Sequence, residues 1–139
     1  MTTAAFASYD EALKLYQEGK YRESLKILAA DLETADDFKA GSPNYQIRFL
    51  AAHNHWKLKS GEPVILHLRR CMEIKKDAVE PYIDLSMYLL DQRRWTDAAA
   101  WAERGLKIKQ DPLLYYIMGC ANRGKGNLAR AKELLEKCN

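Results

Sequence analysis

The chain has 139 residues and a formal net charge of +3, with 47% hydrophobic and 29% charged residues. That length allows one domain with a packed core, and the apolar content excludes a disordered chain. The charge is too small to imply a polyanionic partner such as nucleic acid. No run approaches the roughly 18 apolar residues of a membrane-spanning helix, and Met1 to Tyr16 lacks the basic lead and long apolar stretch of a signal peptide.

In chain order, a first helix is expected over Thr3–Glu18, with Phe6, Tyr9, Leu13 and Tyr16 on one stripe. Gly19-Lys20 turns the chain, Tyr21 packs under the turn, and Glu23–Leu32 forms the partner helix. Residues 33–44 read ETADDFKAGSPN, and Gly41, Ser42, Pro43 and Asn44 mark a loop. The plain reading is a long surface loop; Phe38 among polar neighbours makes a partner contact the sharper one. A third helix is expected over Tyr45–Lys59, a turn at Ser60-Gly61-Glu62-Pro63, and a fourth helix over Val64–Lys76.

From Val79 to Asp111 the pattern is clearest. Pro81 suits a first helical turn, where its missing N–H costs nothing. Tyr82, Leu85, Ser86 and Leu89 make one face, and Ile83, Met87 and Leu90 a second, so this helix must be covered on two sides. Gln92-Arg93-Arg94-Trp95 turns the chain, with Thr96 expected to cap the next helix. There Ala98, Ala102 and Gly105 are small enough for close approach, beside Trp101 and Leu106. Pro112 ends one helix and starts another.

The next segment repeats this one at an offset of 33 positions. Tyr115, Met118, Gly119 and Asn122 take the places of Tyr82, Leu85, Ser86 and Leu89; Ala131, Leu135 and Cys138 take those of Ala98, Ala102 and Gly105. At the N-terminus Ala12, Gly19, Ser24 and Leu28 take the places of Ser86, Arg93, Ala98 and Ala102. The period breaks once, since Gly19 to Gly61 is 42 positions and Gly61 to Arg93 is 32. A single domain over 1–139 is expected, with repeats near 5–36, 45–78, 79–111 and 112–139 and an insertion at 33–44.

On these residues the chain resembles the tetratricopeptide repeat (TPR) family, whose unit follows W-x2-L-G-x2-Y…A-x3-F…P. The third repeat matches as Tyr82-x2-Leu85-Ser86-x2-Leu89…Ala98-x3-Ala102, and the fourth as Tyr115-x2-Met118-Gly119-x2-Asn122…Ala131-x3-Leu135. The first has Ser8 and Glu11 where large apolar residues belong, and the second is the most divergent. The resemblance implies an all-α fold, a right-handed α-solenoid of stacked antiparallel helix pairs, with a concave groove lined by the first helix of each pair. It implies these groove residues: Phe6, Tyr9, Leu13 and Tyr16 in the first repeat, and Arg48, His55, Leu58 and Lys59 in the second. In the third they are Ile83, Met87, Leu90 and Asp91, and in the fourth Leu113, Tyr116 and Arg123. A receptor for heat-shock chaperone tails is disfavoured. The Lys and Asn of its carboxylate clamp would fall at Tyr9 and Leu13, and its later positions at Ala52, Glu80 and Asp84. No polar capping helix follows Cys138, so a longer chain or a dimer partner is expected to cover that end.

The implied groove is unusually apolar. A strip of about 400 Å² would contribute roughly 10 kcal/mol gross on burial, much of it offset by association costs. A partner's amphipathic or apolar segment would use it; the bland alternatives are internal closure or a homodimer. No chemistry competes with this. His53 and His55 point about 200° apart on a helix, and His67 with Cys71 supplies only two ligands where a structural site needs about four. No nucleophile–base set, phosphate-binding glycine loop or H-E-x-x-H is present. Cys71, Cys120 and Cys138 are odd in number and lie at apolar helix positions, which suggests reduced core thiols and a cytoplasmic setting. The basic pairs Arg69-Arg70, Lys75-Lys76 and Arg93-Arg94 are interleaved with acids, as on a solvated face. The expected function is a non-catalytic adaptor or assembly scaffold with no cofactor, binding a protein or peptide and neither nucleic acid nor a membrane interior. The alternatives are a small chaperone for an export substrate, or a self-assembling scaffold whose last helix docks on a neighbour's first.

Overall fold

A computed structural model describes residues 2–34, 36–39 and 41–138, excepting the side chains of residues 2–7, 33 and 34. These residues form eight helices and no strand. They are α1 (Thr2–Gln17), α2 (Tyr21–Thr34), α3 (Asn44–Lys57), α4 (Gly61–Ile74), α5 (Glu80–Asp91), α6 (Trp95–Leu106), α7 (Pro112–Gly124) and α8 (Leu128–Glu136). They group into two compact units, Met1–Lys76 and Asp77–Asn139.

In the N-terminal unit each helix packs on the next, and α1 also touches α3. The core is Ala12, Leu28, Ile47, Leu50 and Ala51, flanked by Tyr9, Leu13, Tyr16, Leu25, Ile27 and Leu32. A short polar chain crosses it. Ser24 donates to the Ala12 carbonyl at 2.7 Å and accepts from Asn54 Nδ2 at 3.0 Å, tying α1, α2 and α3 together. The Ser24 hydroxyl and the Asn54 Nδ2, which also donates to the Leu50 carbonyl at 3.1 Å, are thereby satisfied in the core.

The C-terminal unit follows the same plan, with α6 seated between α5 and α7, and α5 touching α7. Its core includes Val79, Ala102, Leu114, Ile117, Met118 and Leu134. The small residues act as expected. A Cβ added to Gly105 would stand 2.9 Å from the Tyr82 Cβ, and one on Gly119 2.7 Å from Leu135 side-chain carbons. Asp111 caps α7, accepting from the Leu113 N–H at 2.9 Å. Thr96 is not a cap; α6 begins at Trp95, and its N-cap residue Arg94 makes no side-chain bond there.

Every hairpin turn has one geometry. Gly19, Lys59, Arg93 and Gly126 have φ of 79°, 59°, 58° and 84°. The next N–H reaches five residues back: Lys20 to Leu15, Ser60 to His55, Arg94 to Leu89 and Asn127 to Asn122, at 2.8–2.9 Å. This is the Schellman closure of a helix end. It corrects the register of the second repeat. Lys59, not Gly61, is the counterpart of Arg93, so that repeat lies 34 positions from the third. Gly61 instead opens α4.

Candidate partner-binding face

The corrected register changes which α3 residues correspond to Ile83, Met87 and Leu90. They are Phe49, His53 and Trp56, which share a stripe of α3 with Tyr45. Their rings run along the helix: Tyr45–Phe49 at 5.9 Å, Phe49–His53 at 5.2 Å and His53–Trp56 at 5.9 Å between centroids. Tyr16 of α1 meets His53 edge-on at 6.4 Å, and Tyr21 meets Tyr16 at 5.5 Å. The α1–α3 face is therefore aromatic, and Tyr9, Leu13 and Tyr16 are half-buried on it. Phe6 falls among the residues whose side chains lie outside the description.

The residues named for the second repeat take other places. His55 occupies the position of Leu89 and stacks on His67 at 5.7 Å. Leu58 is half-buried beside the first hairpin turn, in a hollow shared with Gly19, Lys20, Tyr21, Arg22 and Glu23. Lys59 makes the left-handed turn. Arg48 donates through Nε to Asp37 at 2.9 Å, and its Nη1 lies 3.2 Å from His67 Nδ1.

Asp37 shows that the inserted segment is anchored. Its side chain is 6% exposed. It accepts from Arg48, from Asn44 Nδ2 at 2.7 Å and from Arg70 Nε at 2.5 Å. Burial pushes this carboxyl up, but the three donors and the Arg48 charge outweigh it and hold the pKa at about 2. Phe38 beside it stays exposed, with the Arg70 guanidinium 4.8 Å from its ring centroid. His67 is pushed down to about 4, first by burial and then by the Arg48 and His55 charges. A neutral imidazole can accept from Arg48, which a protonated one cannot.

In the C-terminal unit Ile83, Met87 and Leu90 are half-buried against the core. Asp91 and Arg123 are exposed. Leu113 and Tyr116 are exposed by 41% and 47%, large apolar side chains one helical turn apart on α7. Arg123 Nη2 lies 4.0 Å from the Cys120 sulfur one turn further on. The face positions of α5 are thus sealed against the core, while α7 carries two open apolar side chains.

Cys71 and Cys120 are buried thiols and Cys138 is half-buried. Cys71 donates to the Tyr45 carbonyl. His53 and His55 lie on different sides of α3, and among the described residues no group of three or more His, Cys, Asp or Glu could hold a metal ion. No described helix is long and apolar enough to cross a membrane.

The class this architecture defines is the all-α helical-repeat proteins, with helix pairs packed consecutively within each unit in a TPR-like fold. Solved structures of MamA share it. One MamA crystal structure aligns with a TM-score of 0.81 at 15% identity, over 94% of this chain and 74% of that one. MamA from residue 41 to its end, from Desulfovibrio magneticus RS-1, aligns at 0.78 and 16%, over 96% and 73%. An RS-1 MamA double mutant gives 0.81 and 14%, over 96% and 72%. At that identity the likeness establishes the fold. No protein-family model matches the chain, and no curated protein matches it in sequence.

Proposed function

We propose that this chain is a TPR-type, non-catalytic interaction module of the cytoplasm that holds a partner protein's apolar or amphipathic segment on the faces lined by its first helices. The observation that carries this is the exposure of Leu113 and Tyr116 beside the sealed floor of Ile83, Met87 and Leu90. A solvent-facing helix stripe is normally polar, and adjoining large apolar side chains mark an interface. In the N-terminal unit the face comprises Tyr9, Leu13, Tyr16, Phe49, His53 and Trp56 rather than Arg48, His55, Leu58 and Lys59. Aromatic side chains of this kind suit partner binding, offering large contact areas at low entropic cost. Tyr116→Glu tests the reading, because an exposed position changes binding without disturbing the core. Affinity capture from the source cell should retain a protein on the wild type and lose it on the variant, with circular dichroism unchanged. Equal capture by both would sink the proposal.

Self-assembly through the last helix is a second reading. Leu128 of α8 is 66% exposed beside a hollow of about 450 Å³ lined by Ala131 and Leu135. The equivalent face of α6 is covered by α7. Docking a neighbour's α1 there is disfavoured, because α1 carries exposed Asp10, Lys14 and Gln17 where α7 has Ile117, Ala121 and Gly124. A two-fold pairing of α8 helices avoids that mismatch, and sedimentation of the wild type against Leu128→Glu would reveal it.

A further inference from the structure

We infer that the segment held on the α5–α7 face is basic as well as apolar, its Lys or Arg side chains lying over α5 and its apolar side chains on Leu113 and Tyr116. This rests on the interaction reading above and adds the partner's charge. Glu80, Asp84 and Asp91 fall at i, i+4 and i+11 of α5, which is one stripe, and Met87 lies on it between Asp84 and Asp91. Glu80 and Asp91 are exposed and Asp84 is half-buried. The counterparts on α7 are Leu113, Ile117 and Gly124, all uncharged. Arg123 is the basic group of α7 at a face position. The exposed charges of the α5–α7 face are thus the carboxylates of Glu80 and Asp91 against the Arg123 guanidinium, with Asp84 half-buried between the two acids, on a chain whose formal net charge is +3.

The face is an acidic stripe beside an apolar one on an otherwise basic protein. That asymmetry selects by charge: an acidic segment is repelled, while a basic one is drawn in and oriented along α5. The α1–α3 face is different, with Asp10 in the place of Asp84 but Lys57 in the place of Asp91, so it is balanced. The preference therefore belongs to α5 and α7. Lysine and arginine stems also suit the neighbouring apolar floor, since their methylenes pack while the charged ends reach the carboxylates.

The test is selection of a displayed library of random peptides on the full chain, followed by titration of the enriched peptides against three proteins. These are the wild type, Glu80→Gln/Asp91→Asn and Tyr116→Ala, all at exposed positions. Enrichment of peptides pairing Lys or Arg with apolar residues is expected. Their affinity should fall roughly tenfold in the double carboxylate variant at low salt, less at high salt, and be lost in Tyr116→Ala. Peptides that are acidic or uncharged, lost with Tyr116→Ala yet indifferent to the carboxylates, would leave the interaction face standing and overturn the basic partner. No enrichment, or enriched peptides indifferent to Tyr116→Ala, would overturn both.

Discussion

Replacing Asp37 by Asn removes one charge and almost no volume from the clasp that ties the inserted segment to α3 and α4. Its carboxylate is 6% exposed and faces two guanidiniums. The pKa falls from 3.8 to about 2 in the folded chain, and at 1.36 kcal/mol per unit that is about 2.5 kcal/mol of stability at neutral pH. Breaking a fully buried ion pair costs about 3–5 kcal/mol. Here Arg48 and Arg70 keep 18% and 37% of their side chains in water, so a loss of about 2–3 kcal/mol is expected. The sign follows from the depressed pKa. The contribution is complete above the unfolded value near 4 and disappears as pH falls towards 2. Urea unfolding of wild type and Asp37→Asn should therefore differ by about 2–3 kcal/mol at pH 7 and converge from pH 5 to pH 2. A difference below about 0.5 kcal/mol at pH 7, or one that does not shrink in acid, would refute this account of the clasp.

His67 gives a second pH window. Its folded pKa of about 4 lies below the unfolded 6.5, so the unfolded chain binds more protons between them and stability rises with pH from about 4 to 6.5. His67→Phe, which keeps a ring against His55 and removes the titration, should flatten that limb of a melting-temperature profile despite the Arg48 and Asp37 charges beside it. Arg93→Gly should stabilise by about 0.5–1 kcal/mol, because glycine adopts the left-handed turn without strain at some cost in unfolded-state entropy; thermal denaturation reads it. Gly119→Ala should destabilise by about 1–3 kcal/mol in the same assay, because Leu135 must move from a Cβ only 2.7 Å away.

The helical hairpins were legible because their signals are local and periodic. The two apolar faces of α5, the small residues Ala98, Ala102 and Gly105, and the prolines opening α5 and α7 all do what their chemistry predicts. The register of α3 is hidden in the sequence because its left-handed turn residue is Lys59, while a glycine, the usual residue for that turn, stands two positions on. That two-residue shift masks the ring series Phe49, His53 and Trp56 as the counterpart of Ile83, Met87 and Leu90, although its i, i+4, i+7 spacing is visible in the sequence. Asp37 is hidden for another reason. Its partners Arg48 and Arg70 lie 11 and 33 residues away, and no local pattern marks a carboxylate that tertiary structure will bury. Similarly, the half-burial of Ile83, Met87 and Leu90 against Ile117 and Met118 depends on how α7 packs beside α5, not on either helix alone.

If the open apolar side chains of α7 touch a partner, site-specific photocrosslinking will trap the contact. A photoreactive phenylalanine analogue would replace Tyr116 in the full chain, and Glu103, exposed on α6, would carry the same probe as a control. Illumination in the source cell should give a discrete adduct from position 116 and none from position 103. An adduct from position 103 alone, or equal adducts from both, would rule out a partner on the open face of α7 and move the interaction to the outer helices.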